Sequence, residues 1–134
     1  MKHVINLAVA PFCPERCYVE AHQKGSPSFE WEQAKIALYF DEAQKNGNVN
    51  GYHLRSKLQY KPVFNANMLD YVLAHPELIP DDWKGKEVCF WGTLYFFNSR
   101  YHVRYLFWYF GGWSWAFRRL SDHCSEFGPA LISA

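Results

Sequence analysis

Apolar residues recur at two different periods along this chain, and the change of period divides it. From Phe29 to Ala43 the apolar positions Phe29, Ile36, Phe40 and Ala43 lie near helical spacing, with Trp31 and Leu38 close by. This predicts a helix over about 27–46. Ser26 would be its N-cap, Pro27 would take its first position and Asn46-Gly47 would close it through a left-handed cap. A second, short helix is predicted over Tyr52–Gln59, stopped by Lys61-Pro62. A third begins at Asn65 and runs to His75, with Met68, Leu69, Val72 and Leu73 as its apolar stripe and Pro76 as its end. Glu77 to Trp83 is a connector with Pro80 inside it.

Past Lys86 the residues become β-branched and aromatic, as strands prefer. Strands are predicted over Val88–Phe97, Tyr101–Phe110 and Trp113–Leu120. They are separated by a turn at Asn98-Ser99-Arg100 and a tight hairpin at Gly111-Gly112, whose glycines supply positive φ angles. The expected fold is therefore α+β, with N-terminal helices packed on a C-terminal antiparallel β-meander of three or more strands. It reads as one domain: an irregular segment 1–25, a helical part 26–83, the meander 86–120 and a tail 121–134. Alternation puts aromatic or apolar side chains on both faces of the meander. One face can pack on the helices, and the other needs a cover: the tail, a second copy or a ligand.

The motif string of the later half bears a likeness. It comprises Pro76-Glu77-Leu78-Ile79-Pro80-Asp81-Asp82-Trp83, then Phe90-Trp91-Gly92-Thr93-Leu94-Tyr95, then Val103 to Trp108, then Gly111-Gly112-Trp113-Ser114-Trp115. It resembles a family of small uncharacterised bacterial proteins with an ELIP..W connector, an FWGT.Y strand and a VR.L.W.GG.W.W hairpin. The resemblance covers residues 64–120 and implies no activity. Where that pattern has a short polar turn before the two glycines, this chain has Tyr109-Phe110, which makes the hairpin more apolar.

Composition narrows the function classes. The chain has 134 residues, 49% apolar, 20% charged and 19% aromatic, with a formal net charge of +1. That is globular rather than disordered, and bulk charge selects neither nucleic acid nor a membrane. The short apolar run Val4–Phe12 is interrupted at Pro11, which does not read as a signal peptide, and no stretch reaches the roughly 20 apolar residues of a spanning helix. A cytoplasmic location is the expectation.

Between Val88 and Ser121 there is no Asp or Glu, whereas Arg100, Arg104, Arg118, Arg119 and His102 stand among the aromatics. Trp, Tyr and Arg are the favoured anchors of protein interfaces. The expected contact surface is Arg104, Trp108, Trp113, Trp115 and Arg118, not all necessarily on one face. The expected role is a non-catalytic protein-binding, inhibitor or adaptor module of the kind found among accessory, mobile-element or phage proteins, with another protein or a second copy as partner. Single-stranded nucleic acid is the alternative, since aromatics stack on bases and arginines meet phosphates. The plainer account of the same residues is core aromatics with solvated arginines. Sugar stacking near Asn98, Asp122 and Glu126 is a weaker reading. So is a helix-turn-helix at 52–75, whose second helix lacks Arg and Lys.

A third class is a small enzyme or structural zinc protein. Cys13 and Cys17 stand four apart with His22 beyond, and His123-Cys124 lies near the other end, so the four could close a zinc site if the ends meet. The plainer account is unrelated reduced thiols, with Cys89 a small buried hydrophobe. No recognisable nucleophile elbow or phosphate loop is present, and no cofactor is expected.

Overall fold

The computed structural model describes residues 2–47 and 49–134. Its main feature is a curled, mixed seven-stranded sheet that draws strands from the whole chain. In order these are β2 (Tyr18–His22), β4 (Ile36–Tyr39), β6 (Val88–Cys89), β7 (Thr93–Phe97), β8 (Arg100–Tyr109), β9 (Gly112–Arg119) and β11 (Ala130–Ser133). Two small pairs accompany it: β1 (Val4–Ile5) with β3 (Phe29–Glu30), and β5 (Val49–Asn50) with β10 (His123–Cys124). The helices are α1 (Glu42–Lys45), α2 (Gly51–Leu58) and α3 (Ala66–Ala74).

This corrects the expected arrangement of N-terminal helices on a C-terminal meander. The segment expected as a helix over 27–46 forms β3, a 3-10 turn, β4 and the single turn α1. Ser26 does accept a backbone N–H, but from Ser28, two residues on, which is a turn and not a helix cap. Helix capping happens later. Asp41 accepts from Ala43 N while Gln44 Oε1 accepts from Asp41 N, a reciprocal box around one turn. The stretch 36–39 becomes a strand because Ala130–Ser133 lies alongside it, Ile36 against Ser133 and Tyr39 against Ala130. Residues 2–25 are not wholly irregular, since they hold β1 and the five-residue edge strand β2. The tail after 120 is not outside the fold, because β11 runs parallel to β6, with Ala130 against Cys89.

The later expectations correspond more closely. Asn65 and Asn50 cap α3 and α2, Asn65 Oδ1 accepting from Asn67 N and Asn50 Oδ1 from His53 N. The hairpin β8–β9 is long, pairing from Tyr109↔Gly112 to His102↔Arg119. Its turn is Phe110-Gly111, with φ of +46° and +80°, and Gly112 already belongs to the strand.

The predicted strand 88–97 is broken in the middle. Between Val88↔Leu106 and Tyr95↔His102 it advances seven residues while β8 advances four. The surplus at Phe90–Gly92 forks the sheet, so β6 carries β11 and β4 on its outer edge while β7 carries β2. The backbone of Phe64-Asn65 fills the fork. Phe64 N donates to Leu131 O (3.1 Å), and Phe64 O accepts from Gly92 N (3.0 Å). Gly92 O in turn accepts from Gln23 N (2.7 Å). Asn65 Nδ2 donates to Leu7 O and Gln23 O, both at 2.9 Å, tying the N-terminal segment to the fork. Thr93 Oγ1 accepts from Ala66 N (2.9 Å) and lies 2.9 Å from His22 Nδ1.

The forked sheet is packed on both faces. On one, α3 places Met68, Leu69 and Val72 against Val88, Phe90 and Leu106, with Trp113 and Trp115 at the margin. On the other, α2 places Leu54 and Leu58 with Trp91, Leu94, Val103 and Leu120. Burying these side chains is the main stabilising term, about 1.5–3 kcal/mol for each large aliphatic one.

At Gly92 a Cβ would stand 2.8 Å from both the N and Cα of Asn65, closer than non-bonded atoms approach. Backbone cannot swing aside as a flexible side chain would. Gly92→Ala is expected to lower the unfolding free energy by at least about 2 kcal/mol, measured by urea denaturation. An unchanged midpoint would mean that the fork is not held by this contact.

Candidate functional site

Cross-strand register assigns each aromatic of the hairpin to a face. His102, Arg104, Leu106 and Trp108 stand opposite Arg119, Phe117, Trp115 and Trp113, so all of these share the α3 face. Val103, Tyr105, Phe107 and Tyr109 share the opposite face with Arg118, Ala116 and Ser114. Of the five expected contact residues, Arg104, Trp108, Trp113 and Trp115 are thus together and Arg118 is behind them.

Arg104 is an interior residue. It is 1% exposed and forms a two-pronged ion pair with Asp70 of α3, Nη1 to Oδ2 at 3.0 Å and Nη2 to Oδ1 at 2.8 Å. Its guanidinium lies 4.0 Å from the Trp115 ring centre and 5.3 Å from that of Phe12. Nearby, Trp115 meets Phe117 edge-on at 5.0 Å, and Phe117 lies 4.7 Å from Phe97, which stacks on His102 at 3.9 Å. Tyr95 lies against Phe117 and donates its hydroxyl to Phe12 O (2.8 Å). Burial pushes the Tyr95 hydroxyl up to about 12, against the opposing pull of Arg104. These rings form a continuous layer in which Tyr95 and His102 are buried and Phe97, Trp115 and Phe117 partly buried, so the lower half of the hairpin is committed to the fold.

Arg118 is also partnered. Its guanidinium contacts the Glu87 carboxylate and lies 5.3 Å from the Tyr105 ring centre, beside Cys89 and Cys124. Burial pushes the Cys89 thiol up to about 12, with Arg118 pulling the other way, and burial raises Cys124 as well. Cys17 is raised by burial and by the neighbouring Cys13, whose thiol donates to Cys17 O. Reactive thiols need the opposite shift. The four-ligand zinc arrangement is not assembled: Cys13 and Cys17 lie on the Arg104 side of the sheet, whereas Cys124 lies beside Arg118 on the other. Among the described residues no group of three or more His, Cys, Asp or Glu is placed to hold a metal.

A cavity of about 520 Å³ separates α2 from β2, lined by Arg55, Tyr52, Gln59, His22 and Trp91. The His22 ring nitrogens are engaged by Thr93 Oγ1 and by Val9 O (3.1 Å), leaving no free nitrogen to act as a base.

The far end of the hairpin differs from its root. Tyr109 is 62% exposed and Phe110 is 90% exposed. Their rings are 4.3 Å apart, and Phe107 continues the row towards Tyr105. On the other face Trp108 and Trp113 meet edge-on at 5.2 Å, with Lys84 Nζ 4.1 Å above Trp108. Together with Pro76, Glu77, Ile79 and Asp81 they line a cleft of about 450 Å³. Phe110 also holds a φ of +46°, a left-handed conformation costly for a bulky residue. Sequence reading missed Phe110 because it assigned the turn to the two glycines. The available signal was the replacement of a polar turn by Tyr109-Phe110.

No helix among the described residues is long and apolar enough to cross a membrane.

Two outcomes follow from the buried groups. Asp70→Ala leaves the Arg104 guanidinium buried without its carboxylate, and is expected to cost about 3 kcal/mol. Arg104→Met, which removes the charge as well, should cost less in the same urea titration. Burial lowers the pKa of both His22 and His102, so the native state favours the neutral rings while the unfolded chain takes up protons near 6.5. Stability is therefore expected to be complete above about pH 6.5 and to fall as the pH drops below it. His22→Gln should flatten that slope in unfolding midpoints measured from pH 7.5 to about 5.

No family model, curated protein or solved structure matches this chain.

Proposed function

We propose that this protein is a non-catalytic protein-binding module, an inhibitor or adaptor whose contact surface is the end of the β8–β9 hairpin. Phe110 carries the reading. A large apolar ring held 90% exposed in a left-handed backbone conformation costs stability twice, through solvent and through strain. Its ring neighbour among the described residues, Tyr109, is itself exposed. Asn-Gly would close the same turn without either cost. Strain kept without a packing return fits a group that packs on something else.

The surroundings suit an interface. Tyr109 and Phe107 extend the apolar surface on one face, and Trp108 and Trp113 flank a cleft on the other. Lys84, Glu77 and Asp81 supply a polar rim. Large aromatics at the centre with charges around them are the composition of interface hot spots. Trp115 and the two arginines expected from sequence act behind this surface, fixing the hairpin to α3 and to β6. The alternative of single-stranded nucleic acid draws less support. Its phosphates would need free guanidiniums, and Arg104 and Arg118 already hold carboxylates.

The test separates stability from binding. Phe110→Asn is expected to raise the unfolding free energy by about 1 kcal/mol, because asparagine tolerates the left-handed turn. The same variant should lose the partners that the wild-type protein captures, quantified by affinity purification and mass spectrometry. Tyr60→Ser, altering a ring 91% exposed elsewhere, should keep them. Identical partner sets from wild type and Phe110→Asn would discard the hairpin tip as the contact surface.

A further inference from the structure

We infer that two copies of this chain pair edge to edge through β9, antiparallel across a two-fold axis at Ala116. The inference stands on the open edge of β9 and does not need the tip reading above.

β9 is eight residues long and bonds to β8 along one edge only. The register states which groups are left over. Tyr109 and Gly112 flank a two-residue turn, so they form a hydrogen-bonded pair, and bonding alternates from there. Gly112, Ser114, Ala116 and Arg118 turn their backbone groups towards β8. Leu120 N, donating to Tyr101 O at 3.0 Å, continues that series. Trp113, Trp115, Phe117 and Arg119 turn theirs outward. Among the described residues no backbone group bonds to the outward groups of Trp113, Trp115 or Phe117, and the Arg119 carbonyl accepts from Asp122 N.

Natural edges are usually protected by proline, lysine, bulges or an inward charge. β9 reads Gly-Trp-Ser-Trp-Ala-Phe-Arg-Arg and has none of these before its last two residues. An edge of this kind adds a strand.

The occupant that fits is a second β9. A two-fold axis normal to the sheet keeps each residue on its own face, so directly opposed positions must sum to an even number. With Ala116 on the axis, Trp115 opposes Phe117 of the second copy and Trp113 opposes Arg119. All four are outward-bonding positions: donors meet free acceptors at Trp115 and Phe117, while at the Trp113–Arg119 pairs the Arg119 carbonyl, already bonded to Asp122 N, takes the Trp113 N–H as a second donor. Ala116 meets its own copy in a non-hydrogen-bonded pair, where the backbones approach most closely and a small side chain is needed. Arg119 of each copy, its guanidinium paired with Asp122 of its own chain (3.0 Å), opposes a Trp113 ring, so a cation faces an aromatic surface at both ends. A net charge of +1 per chain offers little repulsion between copies. The two hairpins would then point to opposite ends of the joined ribbon, their Gly112 ends about 27 Å apart at about 3.4 Å per residue and the tips beyond them, making the protein bivalent.

Sedimentation velocity from about 5 to about 500 μM tests the pairing, since an edge contact of this size belongs among modest interfaces. Wild type is expected to pass from monomer to dimer, and Ala116→Lys, which sets two ammonium groups face to face on the axis, to remain monomeric with an unchanged circular dichroism spectrum. In a background with Cys13→Ser and Cys17→Ser, oxidation of Ala116→Cys should give a disulfide-linked dimer, because facing Cα atoms of such a pair lie within disulfide reach. Ser114→Cys, four positions out of register with its own copy, should not. A wild type that stays monomeric, a dimer indifferent to Ala116→Lys, or equal cross-linking at both cysteine positions would overturn the inference. A monomer whose partners still depend on Phe110 would overturn this pairing while leaving the proposed function standing.

Discussion

The close approach of Gly92 to the backbone of Asn65 is the constraint on which the rest of the sheet depends. A strand that ran straight from Val88 to Phe97 would give one flat sheet with a single outer edge. The surplus residues at Phe90–Gly92 divide it instead, and the segment Phe64-Asn65 enters where only a glycine leaves room. Once seated, Asn65 satisfies Leu7 and Gln23 with its amide and caps α3 with its oxygen, so one side chain joins the N-terminal segment, the fork and a helix. Thr93 and His22 extend the same polar contacts to Val9. A buried polar set of this kind is stabilising only when every member is paired, and here each named atom has its partner.

The fork also decides what is left for function. It draws β11 and β4 to one branch and β2 to the other, so both faces of β8 gain cover near its root. Arg104 is then enclosed between Trp115, Phe12 and Asp70, and Arg118 is held by Glu87. Two arginines that read as surface anchors become struts. Cover thins towards the turn, where Tyr109 is 62% and Phe110 90% exposed. The root is rigid and paired, and the tip is apolar and strained. Under the proposed function, a firm base beneath an exposed ring would keep low the entropy lost on burying that ring against a partner.

Local chemistry was legible where it was strong. The caps at Asn50 and Asn65, the apolar stripe of α3, the stop before Pro62 and the long aromatic strands each follow from residues within a few positions of one another. The positive φ of Gly47 after α1 and the hairpin at 110–111 were also signalled, though the turn lies one residue earlier than the two glycines suggest. Phe29 to Ala43 misled because its apolar spacing fits a helix, while its neighbours in space, β1 and β11, offer backbone partners that a helix could not use. In a segment so short, the pairing partner outweighs the local period.

By itself the sequence determined where α2, α3 and the two long strands of the aromatic hairpin lie, that charge is sparse and balanced, and that the last third carries unusual ring area. Those properties depend on side-chain spacing and on interactions within one turn or one hairpin. Only the tertiary structure decided that the strand 88–97 forks, that strands of two to five residues from both ends of the chain join it, and which arginines lie inside. Short strands have no stability apart from their partners, and a partner's distance along the chain leaves no local mark. Burial of Arg104 likewise depends on Asp70, thirty-four residues away, meeting it across a packed helix.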